Sequence, residues 1–218
     1  GEREAANDVL GLLTRVIKGY LTDKGFEAAV NAQQIYGGHG YIREWGMEQF
    51  VRDARINMIY EGANGIQALD LVGRKLAQNG GRAIQNYFKL LGEEIGEAKG
   101  NEATASFAAA LEKAVGHLQS ATMWLMQNAM TNPDNAGAAS YSYMNLMGIV
   151  SLGLMWLRMA KASSAALANG RADDADFHKA KLMTARFYAE RILPQAGAER
   201  RKIEAGSESL MALPVEAF

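Results

Sequence analysis

The 218-residue chain contains no cysteine, only three prolines and no surplus of basic charge. Without cysteine there can be no disulfide scaffold, thiol catalysis or cysteine-ligated zinc site, and the chain suits a reducing, cytoplasmic setting. With 23 basic and 24 acidic residues the formal charge is -1, so we expect no binding to nucleic acid or to an anionic membrane. The opening residues are helix-like and the first methionine is Met47, so we expect no signal peptide here. We therefore expect a part of a longer protein.

The low proline content, together with plentiful Ala, Leu, Met and Glu, predicts an all-α fold. Apolar residues recur at spacings of three and four, which is typical of amphipathic helices. Thr22 and Asp23 have the chemistry of an N-cap, so we expect one helix to end at 21 and another to begin there. The predicted helices cover residues 3–21, 22–33, 47–60, 66–77, 82–98, 107–129, 136–168 and a last one from 175, which Pro194 should kink or end.

Glycine divides the chain unevenly. Four glycine-rich interruptions fall between residues 37 and 81, and long regular helices follow. We therefore predict two units, a helical bundle over 1–80 and a second antiparallel helical bundle over 81–218. A turn is expected over 169–174, and an irregular tail from 207 to the end.

Residues 135–157 carry no formal charge, and such a length could in principle cross a membrane. Three serines and one asparagine interrupt the apolar run, so we favour a helix buried in a bundle over a membrane span. The seven methionines in or near this segment could line an adaptable groove. We favour their use as flexible core filler. They are Met123, Met126, Met130, Met144, Met147, Met155 and Met159.

Few residues carry recognisable chemistry. The three histidines lie in different predicted elements, and no Glu-x-x-His pair or G-x-S-x-G elbow occurs, so we expect no catalytic metal and no serine nucleophile. The GGHG turn at 37–40 lacks the glycine spacing of a dinucleotide fingerprint. Taken alone, it is more typical of a chain reversal than of a phosphate site.

Glu61 is the one carboxylate that stands out on physical grounds. It follows the apolar residues 56–60 and precedes the helix-breaking run Gly62, Ala63 and Gly65. A carboxylate held at such a bend can be partly desolvated, which makes it a better general base. Its spacing alone favours the simpler role of a helix N-terminal residue stabilised by the macrodipole.

The stretch QQIYGGHGYIREWGMEQFVRDARINMIYEGANGIQALDLVGRKL resembles the C-terminal helical domain of the acyl-CoA dehydrogenase family. The resemblance covers residues 3–76. The remainder resembles, less specifically, the helical extension of longer members that act on long-chain or methylthio-substituted acyl-CoAs. The family's other two domains, which line the acyl and flavin pockets, have no counterpart in this sequence.

The resemblance implies an FAD enzyme that oxidises an acyl-CoA thioester to the 2,3-enoyl-CoA. Glu61 matches the family's base, which removes the alpha proton while a hydride leaves for the flavin. Gln34 and Gly38 match the turn that binds the flavin of a neighbouring subunit, so a homo-oligomer with a shared flavin site and a flavoprotein electron acceptor are implied. The cofactor contacts implied by the matched motifs are Gln34, Gly37, Gly38, Gly62, Ala63 and Gly65.

Two departures from the family pattern leave alternatives open. Ala63 stands where most members have a threonine that donates to the flavin, and Gly65 stands where some have glutamine. A non-catalytic oligomerisation or scaffold module of the same fold is therefore the alternative. A DNA-associated or nitroalkane-acting relative is less favoured, because the nitroalkane chemistry would suggest Asp at position 61. Arg52 and Asp53 match a family RD pair, which we interpret as a structural ion pair.

Overall fold

The computed structural model describes residues 2–170 and 174–217, and within these ranges it contains helices and no strand. The all-α prediction is confirmed. Short 3-10 or π-helical segments also occur in the described ranges, at Arg43–Trp45, Leu71–Lys75, Gln78–Gly81, Tyr188–Ile192 and Val215–Ala217. The α-helices are α1 (Glu2–Ile35), α2 (Gly38–Tyr41), α3 (Met47–Ile56), α4 (Asn64–Asp70), α5 (Arg82–Lys99), α6 (Glu102–Asn128), α7 (Pro133–Ala168), α8 (Ala175–Phe187) and α9 (Gln195–Glu204).

The predicted helix boundary at Thr22 is wrong, because α1 runs unbroken through it. Instead of capping a new helix, the Thr22 hydroxyl donates back to the carbonyl of Lys18 at 2.6 Å, one turn earlier. Asp23 accepts hydrogen bonds from Asn64 and Tyr141, far away in the sequence. Serine, threonine and aspartate can satisfy their side chains inside a helix when such partners exist. The local pattern resembled a cap, but tertiary contacts used both side chains differently.

Other boundaries moved for local reasons. The helix expected over 47–60 ends at Ile56, and α4 begins at Asn64, two residues earlier than predicted. The last predicted helix is divided: α8 passes into a π-helical turn at Tyr188–Ile192, and α9 starts directly after Pro194. Proline has no N–H to donate inside a helix, which fits the place of Pro194 at the N-cap of α9. The turn predicted over 169–174 and the end of the tail lie partly outside the described residues.

Helix α7 lies at the centre of the molecule. It packs against α1, α4, α5, α6, α8 and α9, and many of its side chains are buried, among them the completely buried Tyr143, Met144, Leu146 and Met147. Neighbours on every side explain the lack of charge over 135–157, so the prediction of a buried bundle helix is confirmed. None of the helices in the described ranges is long and apolar enough to span a membrane.

The methionines are only partly core filler. Met144 and Met147 are fully buried, as expected, and Met159 is half-buried. The expectation was wrong for four others, which are exposed on α6, on the turn after α6 or on α7. They are Met123, Met126, Met130 and Met155.

One continuous hydrophobic core extends across residue 80, where the sequence predicted a division into two units. Leu12 and Val16 of α1 belong to the same buried cluster as Leu111 and Leu118 of α6. The division into two domains remains a prediction, but both parts share their buried surface. Changes in one part should therefore affect the stability of the other.

Two glycines allow α1 and α7 to approach closely. A Cβ at Gly19 would lie 2.8 Å from the Cε of Met144, and a Cβ at Gly148 would lie 2.8 Å from the Cδ2 of Tyr20. Real Cβ atoms do not come so close to other heavy atoms. Tyr20 is 3 % exposed, so its ring has no room to move aside.

We expect Gly148→Ala to destabilise the fold by about 1–3 kcal/mol, because the added methyl group overpacks the α1–α7 contact. Gly92→Ala is the matched control: Gly92 also lies inside a helix, α5, but a Cβ there meets nothing within 4 Å. That change should stabilise by about 0.5–1 kcal/mol through helix propensity. Urea unfolding measures both, and an equal gain for the two variants would contradict the close contact.

Candidate functional site

Glu61 lies on a sharp bend between α3 and α4. Its backbone has φ 53° and that of Gly62 has φ 86°, so both residues adopt the left-handed conformation. The conformation is free for glycine but costs a residue with a side chain about 1 kcal/mol or more, and it persists only where the surroundings impose it. The Glu61 side chain is exposed. It does not begin a helix, since Ala63 occupies the N-cap position of α4.

The bend is held by hydrogen bonds from the helix that follows it. The side-chain amide of Gln67 donates to the carbonyls of Glu61 and Gly62, at 3.4 Å and 3.2 Å. The backbone N–H of Asn64 donates to the carbonyl of Met58 at 3.1 Å. Glycine is favoured at position 62 by its backbone conformation, and a Cβ there would lie 2.7 Å from the Gln67 amide nitrogen and push aside the amide that closes the bend.

Asn64 attaches the bend to α1, and the sequence analysis did not identify it. Its side chain is 4 % exposed. Its amide NH2 group, which has two hydrogens to donate, lies within hydrogen-bonding distance of three acceptors: the Gly19 carbonyl at 3.0 Å, Thr22 at 2.9 Å and Asp23 at 2.7 Å. Its amide oxygen accepts from Lys18 at 2.8 Å. The asparagine in EGANG indicated only a turn residue, because its partners lie more than 40 residues earlier.

A second contact between α1 and α4 involves Asp70. Its carboxylate accepts from Arg74 at 2.6 Å and also from Arg15 of α1. Arg74 and then Arg15 lower the pKa of Asp70 to about 2, against the opposing effect of burial. The carboxylate therefore stays charged at neutral pH, and the stabilisation it provides is lost only as the pH falls through acid values toward 2.

The glycine-rich turn lies at the end of α1. Gly37 has φ 61° and ψ -145°, a conformation confined to glycine, and α2 begins at Gly38. The neighbouring Gln33 closes the turn by donating to the Gly40 carbonyl at 3.1 Å. Gln34 is exposed. The turn thus has the geometry of a chain reversal, and the exposed amide of Gln34 lies beside it.

The structure separates the two groups of predicted site residues. Glu61, Gly62, Ala63 and Gly65 lie where α4 meets the Gly19–Asp23 part of α1, whereas Gln34, Gly37 and Gly38 lie at the far end of α1. The twelve residues between Thr22 and Gln34 correspond to about 18 Å along a helix. In one copy of this chain the two groups therefore lie at different levels along α1.

Apolar side chains surround both groups. Ile59, Tyr60 and Ile66, next to the bend, are 50 %, 47 % and 57 % exposed. An open groove of about 710 Å³ lies between α1 and α3, where the Arg55 guanidinium is 5.9 Å from the Phe26 ring centre. An extensive exposed apolar surface of this kind is typical of an interface.

The expected ion pair between Arg52 and Asp53 is not formed within the described ranges. Asp53 accepts instead from Gln49 at 2.7 Å, one helical turn earlier. Adjacent residues of a helix point in different directions, so neighbouring Arg and Asp side chains do not face each other to form an ion pair. Both side chains line the groove between α1 and α3.

Family models match nearly the whole chain. Residues 2–77 match the acyl-CoA dehydrogenase C-terminal domain, and residues 83–214 match a domain described as acetyl-CoA dehydrogenase C-terminal like. The second match alone covers more than half of the chain.

Curated relatives match the same length of sequence. The chain is 36 % identical, over 96 % of its length, to 3-methylmercaptopropionyl-CoA dehydrogenase of Ruegeria pomeroyi. It is 29 % identical over its full length to the broad-specificity linear acyl-CoA dehydrogenase of Mycobacterium tuberculosis, and 28 % identical to a butyryl-CoA dehydrogenase of Syntrophomonas wolfei. It spans 35 %, 37 % and 36 % of these proteins, about a third of their length. The two family models and these similarities together establish that the chain belongs to the acyl-CoA dehydrogenase family.

Proposed function

We propose that this chain is the C-terminal part of a flavin-dependent acyl-CoA dehydrogenase in which Glu61 is the catalytic base. The observation that carries the proposal is the backbone of Glu61, held at φ 53° on an exposed bend by Gln67 and Asn64. A strained conformation of a residue with a side chain, imposed by its neighbours, is characteristic of functional sites. The proposed reaction converts an acyl-CoA thioester to the 2,3-enoyl-CoA.

In the proposed reaction Glu61 takes the proton from the alpha carbon of the thioester. An alpha C–H is a weak acid, so the base must be positioned against it, and fixed donors must stabilise the developing enolate oxygen. The backbone N–H of Glu61, oriented by the same bend, is the donor that this chain would contribute. The bend therefore serves both the base and the donor, and this accounts for the need for a glycine at position 62.

The residues present fit part of an FAD site. A Cβ at Gly37, Gly38 or Gly65 would meet nothing within 4 Å, so the backbone at these points is open to a large planar or phosphorylated cofactor. Gln34 adds an exposed amide. Ala63 contributes no hydroxyl, so its contact to the cofactor would be by backbone and methyl group only. When bound, FAD accepts the hydride that leaves the beta carbon.

We further propose a homo-oligomer in which two subunits share each flavin site. The Gln34 turn lies about 18 Å along α1 from Thr22, which is beside the Glu61 bend, and this spacing supports the arrangement because it leaves room for the two groups to contact different flavins. The exposed apolar residues around both groups supply the surface for association. A flavoprotein electron acceptor and a cytoplasmic location complete the proposal.

The alternative is a helical scaffold module of the same fold without turnover. Ala63 favours it, because the hydroxyl donor found in most members is missing. The alternative predicts normal folding and association without reduction of a bound flavin.

The test is anaerobic addition of acyl-CoA to the full-length protein that contains this chain. The probes are 3-methylmercaptopropionyl-CoA and butyryl-CoA, chosen from the names of the relatives, with a longer linear acyl-CoA as the third. Bleaching of the flavin absorbance by at least one of them supports the dehydrogenase. A protein that holds flavin and is bleached by none, while dithionite still reduces it, supports the scaffold.

A further inference from the structure

Tyr141 of α7 is linked by hydrogen bonds to the bend that carries Glu61. The Tyr141 hydroxyl donates to one oxygen of the Asp23 carboxylate, and the other oxygen accepts from the Asn64 amide at 2.7 Å. Asn64 begins α4, three residues after Glu61. These hydrogen bonds therefore run from Tyr141 of α7 through Asp23 of α1 to Asn64, next to the strained backbone of Glu61.

The groups around Asp23 and Asn64 favour these hydrogen bonds. Burial raises the pKa of Tyr141, and the hydrogen bond to Asp23 raises it further, so the phenol remains protonated and able to donate. Lys18 donates to the Asn64 oxygen from the same face of α1. Hydrogen bonds to a carboxylate are stronger than those between neutral groups, so Asp23 is suited to hold both Tyr141 and Asn64.

The packing of α7 on α1 occurs at the same level. Gly19, whose carbonyl accepts from Asn64, is also the residue against which Met144 packs. Met144 follows Tyr141 by three residues on the same side of α7. The segment of α1 that holds Asn64 is therefore itself positioned by α7, through the Gly19–Met144 and Tyr20–Gly148 contacts and one hydrogen bond.

We propose that Tyr141 and Asp23 are positioning residues for Glu61, acting through Asn64, and that α7 thereby braces the site from the second half of the chain. The catalytic consequence rests on the proposed function, but the structural brace does not. A left-handed Glu61 is stable only while its neighbours impose it, so a weaker hold on Asn64 allows the bend to relax. On this view the helical extension does more than pack and assemble.

The first test measures hydrogen exchange in the 218-residue chain and needs no cofactor. Tyr141→Phe should accelerate amide exchange in residues 57–66 about tenfold, because the hydrogen bond to a carboxylate is lost while the ring is kept. Tyr87→Phe is the matched control. It removes the hydrogen bond between the Tyr87 hydroxyl and Ser151, and Ser151 lies on α7, ten residues after Tyr141.

The control should lower global stability without selective acceleration at 57–66. Equal exchange at 57–66 in the wild type and in Tyr141→Phe would overturn the brace. So would an equal, uniform acceleration by both variants, because it would reduce the role of Tyr141 to general stability.

The second test measures flavin reduction by acyl-CoA in the full-length protein. Asp23→Asn and Tyr141→Phe should each slow the single-turnover rate constant about tenfold while substrate dissociation constants stay unchanged, since the base is misplaced and the acyl pocket is not. Tyr87→Phe should react at the wild-type rate. Asp23→Asn retains the shape of the side chain, which avoids the folding risk of a larger change.

The outcomes separate the two proposals. If the wild-type protein is not reduced by any acyl-CoA, the proposed function is wrong, and the exchange experiment alone decides on the brace. If the wild type is reduced and both variants react at its rate, the brace is wrong and the proposed function stands.

Discussion

Replacing Glu61 by glutamine in the full-length protein should slow flavin bleaching by acyl-CoA by about 10³-fold or more. Glutamine keeps the shape of the side chain but cannot accept the alpha proton, and a positioned general base contributes about 10²–10⁴-fold to such a step. Binding of the CoA thioester should be little changed, because the backbone that forms the bend is retained. Rapid-mixing spectroscopy under anaerobic conditions separates the reduction rate from the dissociation constant.

Glu93→Gln provides the control for this substitution. Glu93 is an exposed glutamate on α5, far from Glu61 in the sequence. Its carboxylate lies 3.9 Å from the Lys89 ammonium. Its replacement removes one negative charge and should leave the bleaching rate unchanged. Bleaching by Glu61→Gln at a rate close to that of Glu93→Gln would show that another group is the base.

The 218-residue chain purified alone should be colourless. The implied flavin contacts on this chain are few, and the chain spans only about a third of the length of its relatives, so we expect most of the flavin's contacts to lie on the family's two other domains. A ligand that gains only part of its interface loses most of its affinity, because the cost of immobilising it remains. The absorbance spectrum of the purified chain, before and after incubation with FAD and gel filtration, measures the retained flavin.

Circular dichroism must first show that this chain is helical, so that lack of colour is not a result of misfolding. A folded chain that retains close to one flavin per copy would contradict this prediction, because the contacts on this chain would then suffice to hold the cofactor. A folded chain without flavin agrees with it.

Local regularity explains which predictions succeeded. The apolar spacing in α5, α6 and α7 is long and uninterrupted, and observed helix bounds there lie within a few residues of those predicted. The burial of α7 followed from its lack of charge. Spacing could not show that Thr22 donates to its own helix, or that Asp23 and Asn64 meet across 41 residues.

The sequence by itself determined that the chain is helical, that it lacks the residues for thiol chemistry, and that one carboxylate lies at a glycine-rich bend. It also carried the family's motifs around Gln34 and Glu61. Only the tertiary structure decided that the bend is strained, that Asn64 attaches it to α1, and that α7 supports this attachment through Tyr141. The physical reason is that periodicity reports which face of a helix is apolar, whereas the partner of a buried polar side chain depends on helices that meet only after folding.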